Sequence, residues 1–126
     1  MRLLLDTDAL IWALSWPDRL SKAAAGAIRD PENDVFVSIT SPWEIAIKKA
    51  LGKLRAPDDL ESQLHGKRIT LLPITLRHAR AIESLPHHHG DPFDRMLIAQ
   101  AQIEGLTIVT SDRQMQLYQV ALLPAT

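Results

Sequence analysis

The apolar positions of the chain form five short runs that predict β-strands, separated by segments with helical periodicity. The strands are predicted over residues 2–6, 34–38, 70–74, 106–110 and 120–123. Helices are predicted over residues 9–15, 21–29, 42–51, 57–65, 76–85 and 92–104, with a brief helical turn after Ser111. Because strands alternate with helices, the pattern indicates βαβ units and an α/β fold.

The first, second and fourth predicted strands are apolar at nearly every position instead of at every second position. This pattern is typical of strands that are covered by helices on both faces, as in a parallel, doubly wound sheet. In such sheets, functional sites lie beyond the carboxyl ends of the strands, near the point where the strand order reverses. We therefore expect the chemistry of this chain at those strand ends.

Two acids directly follow predicted strands. Asp6 ends the first strand, and Asp112 follows the fourth strand after Ser111. In a parallel sheet both carboxylates would lie at the same edge. Each acid also has a local interpretation: Asp6 starts a turn in which Thr7 or Asp8 caps the next helix, and Asp112 is a first-turn acid behind a Ser111 cap.

Two helix starts repeat one pattern, a capping residue followed by proline, an aromatic residue and an acid. They are residues 41–44 (SPWE) and 91–94 (DPFD). A capping box explains much of this pattern. However, Asp94 falls on the apolar face of its helix, where an acid needs a partner. Glu44 lies at the rim of an apolar stripe, and an i,i+4 pair with Lys48 is its alternative explanation.

The two strand ends and the two helix starts together place four carboxylates at one edge of the predicted sheet: Asp6, Glu44, Asp94 and Asp112. Like charges at close range need a counterion. The chain has no cysteine, which excludes disulfide scaffolds, thiol catalysis and Cys-ligated metal sites. Hard oxygen ligands suit Mg²⁺ or Mn²⁺, which activate water and neutralise phosphate during hydrolysis.

Four ordered segments resemble those of the PIN-domain nucleases and, more narrowly, of VapC-type toxins: LLLDTDALIWAL, SITSPWEIAIKKALGKL, HGDPFDRMLIAQA and GLTIVTSD. The resemblance runs from Leu3 to about Leu123. It implies a three-layer α/β/α fold around a parallel sheet of about five strands. It also implies a metal-dependent endoribonuclease whose four acids, Asp6, Glu44, Asp94 and Asp112, bind one or two Mg²⁺ or Mn²⁺ ions. A cognate antitoxin is the implied partner, and a homodimer is common in the family.

Neighbouring residues extend this predicted site. Asp8 stands where relatives often carry histidine, and it either joins the outer metal shell or caps the first helix; we favour the cap. Asp91 belongs to the DPFDR signature, but its position before Pro92 also favours a capping role. Hydroxyls beside the acids come from Thr7, Ser41, Thr110 and Ser111. By resemblance, Thr7 and Ser111 are candidates to orient carboxylates or metal-bound waters.

The charge balance is compatible with an RNA substrate. The net charge of -1 becomes +3 when the four site acids are set aside. Lys48, Arg95 and Arg113 are the candidate RNA contacts, and a solvated surface is their alternative interpretation. The three consecutive histidines at residues 87–89 are interpreted as an exposed connection instead of a metal site.

The three tryptophans have two interpretations. Trp12 and Trp16 are one helical turn apart and predict a shared apolar patch for a partner. Together with Trp43, they could instead stack bases in a single-strand groove.

Length and composition predict one domain over residues 1–126, without a leader peptide or a membrane span, and a cytoplasmic location. One alternative function is a PIN scaffold that binds RNA or protein without catalysis, but such a scaffold would lack an acid. A less favoured alternative is a HAD-like phosphatase with Asp6 as nucleophile, because Ala9 and Leu10 follow the acids where that motif usually has Gly-Thr.

Overall fold

Five parallel strands form the centre of the computed structural model, which describes all residues from 1 to 126. Their order across the sheet is β3-β2-β1-β4-β5. The strands are β1 (Arg2–Leu5), β2 (Asp34–Ser38), β3 (Ile69–Leu72), β4 (Thr107–Thr110) and β5 (Ala121–Pro124). The predicted five-stranded parallel sheet is therefore confirmed, with β1 at its centre.

Six α-helices connect and cover the strands: α1 (Thr7–Ser15), α2 (Lys22–Arg29), α3 (Thr40–Ala50), α4 (Leu60–Gly66), α5 (Leu76–Ala81) and α6 (Pro92–Glu104). Short 3-10 helices lie at Pro17–Arg19, Ile82–Ser84 and Arg113–Leu117. The predicted helix over 76–85 is divided into α5 and a 3-10 turn, and α4 begins at Leu60, after the predicted start at residue 57. No helix combines the length and the apolar character that crossing a membrane requires.

Alternate side chains of the central strand face two separate cores. Leu3 and Leu5 pack in the cluster that contains Leu10 of α1 and Val37 of β2. Leu4 packs in the opposite cluster, with apolar residues of α6 and β4. Burying a leucine contributes about 1.5–3 kcal/mol. Packing against helices therefore stabilises both faces of β1. This arrangement explains why the strand is apolar at consecutive positions, and it confirms the three-layer α/β/α architecture.

The sheet order places a crevice at the carboxyl ends of β1 and β4. From β1 the chain moves outward to β2 and β3 on one side, then returns through α6 to β4 and β5 on the other. Gly105, with a φ of 69°, ends α6 in the left-handed conformation and directs the chain toward β4. Because neighbouring connections diverge at β1 and β4, the ends of these two strands are open to a ligand.

Candidate metal centre

Asp6 occupies the end of β1 with both carboxylate oxygens engaged. Its Oδ1 accepts the backbone N–H of Ala9 at 2.8 Å, and its Oδ2 accepts the Thr110 hydroxyl at 2.6 Å. Burial raises the pKa of Asp6 to about 6, despite the opposing effect of these hydrogen bonds. Asp6 itself is thus the N-cap of α1. The favoured interpretation of Asp8 as the cap is wrong, because Asp8 is an exposed residue inside the first turn.

Thr7 connects the start of α1 to α3. Its hydroxyl donates to Glu44 Oε1 at 2.7 Å and lies 3.0 Å from the Ser41 hydroxyl. Ser41 is fully buried inside α3, whose N-cap is Ile39, without a side-chain cap bond. The capping interpretation of residues 41–44 is therefore wrong. The helix begins before Pro42, which is tolerated in the first turn because its missing N–H has no helical partner there.

Glu44 is buried and its second oxygen is neutralised by a lysine on the same helix. Lys48 Nζ lies 2.5 Å from Glu44 Oε2, and this hydrogen bond raises the pKa of Lys48 above its usual value. The i,i+4 pair anticipated as an alternative is thus formed. It differs from an ordinary surface pair because the carboxylate is buried while the lysine side chain stays half exposed.

Asp94 enters the site from the first turn of α6. The N-cap of this helix is Asp91, whose Oδ1 accepts the backbone N–H groups of Phe93 and Asp94 at 2.8 and 3.2 Å. The cap is therefore supplied by Asp91, and the Asp94 side chain is left for other contacts. Burial, followed by the negative charge of Asp91, raises the pKa of Asp94 to about 7.

Asp112 follows β4 and begins the 3-10 helix over Arg113–Leu117. Its Oδ1 accepts the Gln114 N–H at 2.9 Å, and its own N–H donates to the Thr110 hydroxyl at 3.0 Å. Ser111 is wrong both as the cap and as an orienting residue, because its hydroxyl bonds to Thr126 at 2.8 Å. The strand alternation turns Ser111 away from the site and Thr110 into it.

His89 lies between two of the predicted site acids. Its Nε2 is 2.6 Å from Asp112 Oδ2 and 3.1 Å from Asp94 Oδ2, and the residue is 8% exposed. One ligand atom from each of these three residues lies within 4.8 Å of the other two. The interpretation of the histidine run as an exposed connection holds for His87 and His88 but is wrong for His89.

Arg95 is wrong as an RNA contact because its guanidinium is buried. The residue is 6% exposed, and its nitrogens donate to main-chain oxygens and one phenol. These acceptors are the carbonyl oxygens of Ile82, Leu85, Pro86 and His89, and the hydroxyl of Tyr118. Arg113, in contrast, is exposed next to Asp112.

The three tryptophans differ in burial, and the shared patch of Trp12 and Trp16 stays a prediction. Trp12 packs against the core cluster of α1, while Trp16 is exposed and stacks near the Arg19 guanidinium at 5.4 Å. Trp43 is 57% exposed and makes an edge contact with Phe93, with ring centroids 5.0 Å apart. Trp43 and Phe93 line a groove of about 410 Å³ that His89 also borders.

The donor set fits a hard divalent cation. Asp94 and Asp112 belong to the tight group with His89, whereas Asp6 and Glu44 lie outside that group. Asp6 is nevertheless close enough for its charge to raise the pKa of Asp94. Carboxylate oxygens that accept one hydrogen bond retain a lone pair for a cation. Burial is the main cause of the raised pKa values of Asp6 and Asp94, and neighbouring carboxylates raise both values further.

A parallel sheet with acids at the ends of β1 and β4 is the arrangement that the resemblance to PIN-domain nucleases predicts. Comparison with known sequences agrees. The sequence model of the PIN domain matches residues 3–121. The chain belongs to the PIN domain family, in its VapC type. A curated relative, Ribonuclease VapC22 of Mycobacterium tuberculosis, is 30% identical over 116 residues, which are 90% of this chain and 88% of the relative.

Solved structures agree on the fold. VapBC2 from Rickettsia felis, bound to a DNA fragment of its promoter, superposes with a TM-score of 0.74 at 16% identity over all of both chains. VapBC-1 from nontypeable Haemophilus influenzae superposes with a TM-score of 0.63 at 15% identity, over 98% of this chain and 97% of that one. A toxin-antitoxin complex from Klebsiella pneumoniae gives 0.63 at 16% identity, over 97% and 96% of the two chains.

Proposed function

We propose that this protein is a metal-dependent endoribonuclease that hydrolyses RNA phosphodiester bonds and serves as the toxin of a toxin–antitoxin pair. The observation that carries the proposal is the convergence of Asp94 and Asp112 beside Asp6 at the open ends of β1 and β4. The ribonuclease name of the VapC22 relative supports the same activity. Residues 1–126 would form the single PIN domain that carries it.

The proposed ligands of one or two ions are Asp6, Glu44, Asp94 and Asp112. Mg²⁺ or Mn²⁺ bound by them would supply a water of lowered pKa and positive charge beside the scissile phosphate. Thr110 fixes the Asp6 carboxylate, and Thr7 fixes that of Glu44. The Glu44 carboxylate takes part only if the ion competes with Lys48, whose ammonium lies on its Oε2. Asp8, exposed and two residues after Asp6, is a proposed outer contact.

RNA would approach along the groove beside the acids. Lys48, which pairs with Glu44, and the exposed Arg113, which follows Asp112, are positive side chains next to site acids that can contact phosphates. The exposed Trp43 ring, set against Phe93, offers a face on which an unpaired base can stack. Such contacts would orient a single-stranded segment across the acids without selecting its base sequence.

An antitoxin is the proposed protein partner. The structural neighbours from Rickettsia felis and Haemophilus influenzae are VapBC complexes. On this chain, α3 exposes the large apolar side chains of Trp43 and Ile47, and Leu51 at its C-cap is exposed as well. An exposed apolar strip of this kind is typical of a surface that a protein partner covers. We further propose a homodimer and a cytoplasmic location.

The decisive experiment measures cleavage of a panel of structured RNAs by antitoxin-free protein with Mg²⁺, with Mn²⁺ and with EDTA. We expect cutting only with a divalent cation, 5′-phosphate products, and a loss of roughly 100-fold or more in Asp94→Asn. Asp18→Asn, which changes an exposed acid of the 3-10 helix Pro17–Arg19 that is not one of the four proposed ligands, is the matched control and should cut normally. Equal cutting in EDTA, or by Asp94→Asn, would contradict the proposal.

A further inference from the structure

His89 has both ring nitrogens engaged, although it stands in a loop before α6. On one side Nε2 faces Asp112 and Asp94 at 2.6 and 3.1 Å. On the other side Nδ1 accepts the backbone N–H of Asp91 at 3.1 Å. The ring is therefore held between the N-cap of α6 and the two carboxylates.

These contacts decide where the ring hydrogen lies. A nitrogen that accepts the Asp91 N–H carries no hydrogen of its own, so the ring hydrogen sits on Nε2. His89 consequently donates to Asp112 and reaches toward Asp94 as a hydrogen-bond donor. For Nε2 to bind a metal, the hydrogen would have to move to Nδ1, where it would face the Asp91 N–H. The local geometry thus disfavours His89 as a ligand.

The loop that presents His89 is fixed by a buried clamp formed by Arg95 and Tyr118. The His89 N–H donates to the Tyr118 hydroxyl at 2.9 Å, and that hydroxyl donates to the Pro86 carbonyl at 2.6 Å. Arg95 donates to the Pro86 carbonyl at 2.9 Å and to the Leu85 carbonyl at 3.1 Å. Hydrogen bonds from a charged donor are the stronger ones, so the path of the loop is well defined.

We propose, on the basis of the proposed metal-dependent function, that His89 is a positioning residue of the metal centre. Its Nε2–H orients Asp112 Oδ2 and draws Asp94 toward it, while the Gln114 N–H holds Asp112 Oδ1. A carboxylate oxygen that accepts one hydrogen bond keeps a further lone pair for a cation. Groups that hydrogen-bond to metal ligands in this way tune ligand geometry and affinity.

The test compares Mn²⁺ affinity by calorimetry in the full chain and in three variants. His89→Leu removes the donor at similar size, His89→Gln offers an amide N–H near the position of Nε2, and His87→Ala alters an exposed histidine of the same loop. We expect Mn²⁺ binding to weaken roughly 10- to 100-fold in His89→Leu, to recover partly in His89→Gln, and to stay unchanged in His87→Ala. Equal or tighter binding by His89→Leu would overturn the proposal.

A measurement on the unmodified protein covers the case in which His89→Leu does not fold. The ¹⁵N shifts of the His89 ring, followed during Mg²⁺ addition, should keep the signature of a hydrogen on Nε2. Loss of that hydrogen would show direct ligation and overturn the positioning role. Weakened Mn²⁺ binding in His89→Leu, together with absent RNA cleavage by every form, would support this inference and refute the proposed nuclease.

Discussion

Replacing Asp94 by Asn should stabilise the protein when divalent cations are removed, although it removes a proposed metal ligand. In the folded chain the pKa of Asp94 rises from its ordinary 3.8 to about 7, chiefly because of burial and then the charge of Asp91. At a pH of about 8 the folded protein therefore carries a carboxylate whose ionisation is unfavourable in its surroundings. Asn keeps an oxygen that can accept from His89 without carrying that charge.

The magnitude follows from the pKa difference. One pKa unit corresponds to about 1.4 kcal/mol, so the full cost of ionising Asp94 would be about 4 kcal/mol. Because the Asp94 side chain is 23% exposed, solvent screening reduces this cost, and we expect about half of it, roughly 2 kcal/mol. In a domain of this size that gain raises Tm by roughly 6–10 °C.

The pH dependence has a definite sign. Below the unfolded pKa of 3.8 the carboxyl is protonated in both states, so its ionisation has no effect on stability. As the pH rises toward about 7, the folded protein retains the proton more strongly than the unfolded chain does, and wild-type stability falls. The advantage of Asp94→Asn in EDTA should therefore grow over this interval and remain constant at higher pH.

Urea unfolding in EDTA at several pH values, followed by the same series with Mn²⁺, measures both effects. Mn²⁺ should stabilise the wild-type protein, because a cation favours the ionised carboxylates, and should stabilise Asp94→Asn much less. Asp18→Asn should follow the wild type in every condition. An Asp94→Asn protein that is equally or less stable than wild type in EDTA at a pH of about 8 would refute the reasoning.

Three further substitutions test other contacts of the site. Thr110→Val removes the bonds to Asp6 Oδ2 and from the Asp112 N–H, and should lower the free energy of unfolding by about 2–3 kcal/mol in urea at a pH of about 8. Arg95→Met should cost about 3 kcal/mol or more, because several carbonyls lose their donor; a change below about 1 kcal/mol would contradict the clamp. Arg113→Ala should change stability by less than about 0.5 kcal/mol and reduce the salt dependence of RNA binding by about one charge; an unchanged salt dependence would exclude the contact.

The fold could be predicted because its determinants are local. Continuous apolar runs indicated strands covered on both faces, and their alternation with helices indicated a parallel sheet. The strand ends then located Asp6 and Asp112 without knowledge of the sheet order. The split of α5 and the early start of α3 at Thr40 were not predictable in this way, because helix ends depend on tertiary packing more than on capping patterns.

The contacts around the acids could be predicted only in part. The wheel position of Asp94 and the cap before Pro92 are consequences of helical periodicity. His89 and Arg95 were misassigned because their surroundings come from segments far apart in sequence, such as Tyr118 and Asp112. The sequence around Arg95 and around His89 gives no indication that these two polar side chains are buried.

The clamp formed by Arg95 and Tyr118 holds the loop before α6 through hydrogen bonds to main-chain atoms. These bonds determine which sequence changes the loop can tolerate. Arg95 bonds to carbonyl oxygens at residues 82, 85, 86 and 89, and any amino acid supplies such an oxygen. Apart from the buried Leu85 and from His89, whose ring contacts the acids, side chains in this stretch can therefore be exchanged while the backbone keeps its path. Insertion or deletion of one residue would instead shift every later oxygen away from the guanidinium. The loop should thus be permissive in sequence at its exposed positions and strict in length.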